Sequence, residues 1–116
     1  RASKIMQDRA QKNPKIKFIC FAGHTHFPVV IRGDKVCWYP SDAGWDYQLD
    51  PEHKYIINVG SVGQPRDHDP RACYAVYHGT SIWYYRVPYD VETTRKKILA
   101  VSETEKPLAD RLVQGR

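Results

Sequence analysis

The chain has 116 residues, 41% hydrophobic and 27% charged, an ordinary globular composition with enough length for one core and not two. No apolar run approaches the roughly eighteen residues of a membrane span, and the opening residues follow no signal-peptide pattern. The net charge of +5 sits in residues 1–17, where Arg1, Lys4, Arg9, Lys12, Lys15 and Lys17 face Asp8 alone. The rest is neutral, so the basic pI reads as one solvated helix face and argues against nucleic acid as a partner.

Residues 2–12 place Ala2, Ile5, Met6 and Ala10 at helical intervals, and Asn13-Pro14 supplies a stop. Residues 16–22 are a near-continuous apolar run. That predicts a strand covered on both faces, as in the centre of a layered α/β structure. Segments 28–32 and 35–39 predict a hairpin around Gly33-Asp34 with a two-residue type II′ turn. Residues 40–53, rich in Pro, Asp and Gly, predict a long loop whose aspartates are solvated. Tyr55 to Val59 predicts a short strand, followed by a kinked loop over 60–71 with His68 facing solvent. Segments 72–78 and 81–87 alternate as a second hairpin around Gly79-Thr80. One strand sets Cys73, Ala75 and Tyr77 against Tyr74, Val76 and His78. The other sets Trp83, Tyr85 and Val87 against Ile82, Tyr84 and Arg86. Packing between strands explains these aromatics more economically than a base-stacking platform. Asp90 is the expected N-cap of a helix over 91–101. A final short helix, capped by Ser102 or Thr104 with Pro107 in its first turn, closes at Gly115. Three cysteines, Cys20, Cys37 and Cys73, lie in strand-like runs without C-x-x-C spacing, as expected of thiols in a reducing, cytoplasmic compartment.

Chemistry concentrates at the end of the first strand, in Gly23-His24-Thr25-His26. On an extended backbone, a spacing of two sets both imidazoles on one side, roughly 7 Å apart at Cα. Such a pair chelates one ion, or serves two ions held about 3.5–4 Å apart; a solvated histidine pair is the plainer reading. Gly23 suits a sharp turn or a close backbone approach. Downstream, Ser61 and Arg66 stand out. Arg66 either clamps a phosphate oxygen in fork geometry, pairs with Asp67 or Asp69, or caps the preceding turn.

Gly-His-Thr-His after an apolar strand, followed by Phe27-Pro28, resembles the last metal-ligand motif of the calcineurin-like metallophosphoesterases. Ile57-Asn58-Val59-Gly60-Ser61-Val62-Gly63-Gln64-Pro65-Arg66-Asp67 resembles the Asn-Pro-Gly-Ser…Pro-Arg-Asp segment of the family's small bacterial phosphodiesterase branch, with Val59 where proline is usual. The Leu-Ala-x-Arg-Leu run near the end fits the same branch. The resemblance implies an α/β (α+β) fold that is part of a four-layer α/β/β/α sandwich, with residues 1–116 as the C-terminal portion of one domain. It implies a two-metal phosphoester hydrolase in which His24 ligates one divalent ion and His26 the other. The ions are of the Mn, Fe, Zn, Ni or Mg kind, and Ser61 and Arg66 lie toward substrate. The family's earlier motifs (Asp-x-His, Gly-Asp, Gly-Asn-His) are not found before His24. The chain therefore reads as a partner to a missing N-terminal half, inactive alone and prone to associate with itself. The alternative is a non-catalytic binding or scaffold module of the same fold.

Overall fold

A computed structural model describes residues 18–40, 45–101 and 106–116. The helix expected over 2–12 and the caps expected at Ser102 and Thr104 lie outside the described residues. Seven strands and two helices are present among them: β1 Ile19–Ala22, β2 Val29–Arg32, β3 Cys37–Trp38, β4 Trp45–Gln48, β5 Tyr55–Asn58, β6 Ala72–His78, β7 Ser81–Val87, α1 Val91–Val101 and α2 Lys106–Gln114.

Two sheets form. The first has the order β1-β5-β2-β3, with β1 and β5 parallel and the other pairs antiparallel. The second, β4-β7-β6, is antiparallel throughout. Side chains alternate across each strand, so Val30, Tyr55 and Ile57 of the first sheet meet Cys73, Ile82 and Tyr84 of the second, with Leu49 filling the join. Val29, Ile31 and Ile56 point the other way and pack with Cys20, Ala22 and Cys37. Both faces of the first sheet are thus apolar, as a layered structure requires. Tyr84 carries a hydroxyl into this core and donates it to the Asn58 carbonyl at 2.6 Å. Burial pushes that phenol's pKa upward, so it stays a neutral donor.

Several expectations change in detail. Among the described strands β5 is fully buried and paired on both sides, whereas β1 lies at the edge with Phe21 exposed. Residues 45–48 are strand β4 rather than loop. Trp45 and Tyr47 face inward and Asp46 and Gln48 outward, a period of two hidden by the surrounding turn-forming residues. The β2–β3 connection is a three-residue loop, because Arg32 and Val36 are joined and Lys35 takes the left-handed conformation (φ 76°). A type II′ turn would put the positive φ at Gly33. The β6–β7 hairpin forms at its expected bounds, with Gly79 at φ 63°. Ile82, Tyr84 and Arg86 are its buried phase.

Asp90 caps α1 through the Thr93 N–H at 3.0 Å. At the C-terminus, Gly115 (φ 63°) ends α2 in a Schellman turn, with Arg116 N–H reaching the Arg111 carbonyl at 3.0 Å. A Cβ at Gly115 would lie 2.6 Å from the Asp69 nitrogen, so only glycine lets α2 close on the 60–71 loop.

Paired carboxyls predict the acid behaviour. Thr93 holds Asp90, Arg71 holds Asp69, and Lys106 followed by Arg95 hold Asp110, each below the usual carboxylate range. With folded pKa values depressed, the unfolded chain binds protons first as pH falls, so their contribution is present above about pH 4 and lost below it. The thermal midpoint should stay level from neutrality to about pH 5 and drop below about pH 4. Calorimetry across that range tests this, and Asp69→Asn should flatten the drop.

Candidate metal centre

Strands β1 and β5 run parallel in register, with Ala22 beside Asn58, so the loops leaving them emerge side by side at one sheet end. Parallel sheets present their chemistry at such carboxyl ends. The first loop carries His24, which is exposed, and His26, which is half-buried. Both are left-handed, with φ of 72° and 61°. Histidine visits that region more readily than branched residues, but it still costs about 1–2 kcal/mol per residue. The expected extended backbone is therefore replaced by a tight turn in which Thr25 N–H donates to the Gly23 carbonyl at 2.9 Å. Of the two roles expected at Gly23 the turn forms there, and the close approach falls on Gly60 (φ 80°), where a Cβ would lie 2.7 Å from Cys73 Sγ.

Asn58 holds this turn. It is fully buried. Its amide nitrogen donates to the Gly23 carbonyl and to Thr25 Oγ1, each at 2.9 Å, and its amide oxygen accepts the Gly60 N–H at 3.0 Å. One side chain thus joins the two loops.

The second loop orients His26. Ring Nδ1 lies 2.7 Å from the Gln64 carbonyl oxygen. A carbonyl only accepts, so Nδ1 carries the proton and a neutral ring keeps its lone pair on Nε2. Metal-binding histidines are commonly fixed by this kind of contact. Arg66 N–H donates back to the His26 carbonyl at 3.3 Å. Ser61 Oγ accepts the Gln64 N–H at 2.9 Å, bracing the turn that presents that carbonyl. The exposed Arg66 guanidinium donates to Gln64 Oε1 at 2.9 Å, not to the aspartates. Asp67 is taken by Arg86 and Asp69 by Arg71. His68 is exposed as expected, and its N–H reaches the Gly115 carbonyl at 2.8 Å.

His24, His26, Ser61 and Arg66 thus all lie on the two loops that Asn58 connects. The described aspartates of the 40–53 segment do not supplement them: Asp50 accepts the Glu52 N–H and contacts His53, and Asp46 is exposed on β4. Among the described residues no three His, Cys, Asp or Glu side chains form a metal-holding group. Sequence reasoning passed over Asn58 and Gln64 as parts of a motif. It also passed over the Asp67–Arg86 pair, although a charged residue in the apolar phase of β7 was a usable signal.

No family model matches the chain. It aligns with the crystal structure of a metallophosphoesterase from Sphaerobacter thermophilus at a TM-score of 0.74 and 36% identity, over 84% of this chain and 42% of that one. The chain has the fold of part of a metallophosphoesterase. It is also 36% identical over 100 residues to an uncharacterised protein of Methanocaldococcus jannaschii, covering 84% of this chain and 40% of that protein. The chain thus spans about two-fifths of the length of each of these two proteins.

Asn58 provides the sharpest test of this site. Asn58→Ala leaves the Gly23 carbonyl, Thr25 hydroxyl and Gly60 N–H without their buried partner. The expected loss of stability is about 2–4 kcal/mol by denaturant titration. Hydrogen exchange should rise in residues 23–28 and 59–64 before it rises in β6 and β7.

Proposed function

We propose that this chain supplies the last two metal ligands, His24 and His26, of a two-metal phosphoester hydrolase whose other ligands lie in further sequence. The observation that carries the reading is the His26 ring, with Nδ1–H spent on Gln64 and Nε2 left as a donor atom. The identity to a metallophosphoesterase of known structure supports it, as do the two left-handed histidines, a strained arrangement typical of ligand-holding loops. The donor set fits divalent ions of the Mn, Fe, Zn, Ni or Mg kind, with neutral imidazole suiting most of them.

When bound, such ions supply Lewis-acid polarisation and charge neutralisation at a phosphoryl group. This chain's own contribution is orientation and charge. Gln64 fixes the His26 ring. Arg66 is exposed beside it with a neutral amide as its partner, so its fork remains open to a phosphate oxygen. Ser61 accepts with its oxygen and keeps its hydroxyl proton for a second one. Cytoplasmic residence accords with the three cysteines, none of which forms a disulfide. No described helix is long and apolar enough to cross a membrane.

Full-length wild-type protein should bind about two divalent ions per chain by elemental analysis. It should hydrolyse bis(4-nitrophenyl) phosphate. His24→Ala and His26→Ala should each lower turnover at least about 100-fold and reduce metal content. Wild-type turnover in both variants overturns the proposal. A correctly folded protein that binds no metal in any form favours the scaffold reading.

The partner most needed by residues 1–116 is the remainder of the same domain. β1 has β5 on one side and an open edge among the described residues on the other, and its Phe21 meets Tyr77 edge to face, both rings exposed. Expressed alone, residues 1–116 should dimerise or aggregate; light scattering showing a stable monomer overturns this.

A further inference from the structure

Arg86 sits on the inward phase of β7 beside Ile82 and Tyr84, its side chain 2% exposed. A guanidinium is retained there only if another group compensates its lost hydration. Asp67 does so, its carboxylate only 10% exposed. Arg86 Nη1 donates to Asp67 Oδ1 at 3.2 Å and Nη2 to Oδ2, a two-pronged contact, and Nε lies 3.8 Å from Asp69 Oδ2. Removing two buried charges together often leaves stability unchanged, so stability alone is a poor reason for such a pair. A two-pronged contact does fix direction and register. Asp67 is three residues from Gln64, and the buried Pro65 stiffens the segment between them.

We infer that Asp67 and Arg86 are positioning residues: their buried pair anchors the 60–71 loop to β7 so that the Gln64 carbonyl meets His26 Nδ1 and fixes which ring nitrogen carries the proton. The value of that tautomer for metal binding rests on the hydrolase reading; the orientation of the ring does not.

The test uses full-length, metal-free protein with 15N-labelled histidine. Long-range proton–nitrogen spectra distinguish Nδ1–H from Nε2–H rings. Wild-type His26 should be Nδ1–H. Asp67→Leu/Arg86→Met removes both charges and should keep a wild-type-like thermal midpoint while His26 shifts toward Nε2–H. Asp67→Asn, a smaller change, should shift the same signal partway. A wild-type ring that is Nε2–H, or an Nδ1–H ring persisting in the folded double variant, overturns the inference. So does unfolding of both variants, since the pair is then structural and nothing more. In the metal-loaded protein, the double variant should bind Zn2+ or Mn2+ about 10–100-fold more weakly. If wild type shows no metal and no turnover while the tautomer shifts as expected, the hydrolase reading fails and the positioning role stands.

Discussion

A buried carboxamide must place both its N–H bonds and its oxygen on partners, because no water reaches it. Asn58 does this across a chain separation of more than thirty residues, with Gly23 and Thr25 on one side and Gly60 on the other. The parallel pairing of β1 and β5 makes the arrangement possible, since it delivers both loops to the same sheet end. Tyr84 adds a strut from the second sheet by donating to the Asn58 carbonyl. The histidine turn is therefore referenced to both sheets through one residue.

The second loop is held at both of its ends. Its near end meets His26 through Gln64 and Arg66, and its far end is fixed by Asp67 on Arg86 and by the Gly115 turn against His68 and Asp69. Hydrogen bonds of fixed direction serve at both ends, where apolar contact alone would leave the loop free to slide. Much of this restraint is spent on presenting one imidazole.

Periodicity made the strands legible where they stood clear of turn signals. The β6–β7 hairpin follows from alternation and Gly79-Thr80, and α1 follows from Asp90. Strand β4 escaped because Trp45 and Tyr47 give only two inward residues amid Pro, Asp and Gly. β1 was taken as central because an apolar run reports hydrophobicity and not neighbours; among the described strands β1 has one neighbour, while β5, with similar letters, has two. The motif singled out the histidine pair at the end of β1, but not its backbone. Nothing in Gly-His-Thr-His announces two left-handed residues, because the Asn58 amide that sustains them lies far along the chain. The link from Gln64 to His26 was equally hidden, being made by a backbone carbonyl that every residue type possesses.

Two left-handed histidines carry a further implication for anyone engineering heat resistance into this fold. Glycine enters that conformation without the side-chain clash, and asparagine with less of it, so either residue at position 24 or 26 would relieve backbone strain. A screen rewarding survival at high temperature alone would drift toward exchanging both imidazoles, and its hardiest winners would be the ones that had lost both rings. Positions 24 and 26 should be held fixed in any such library.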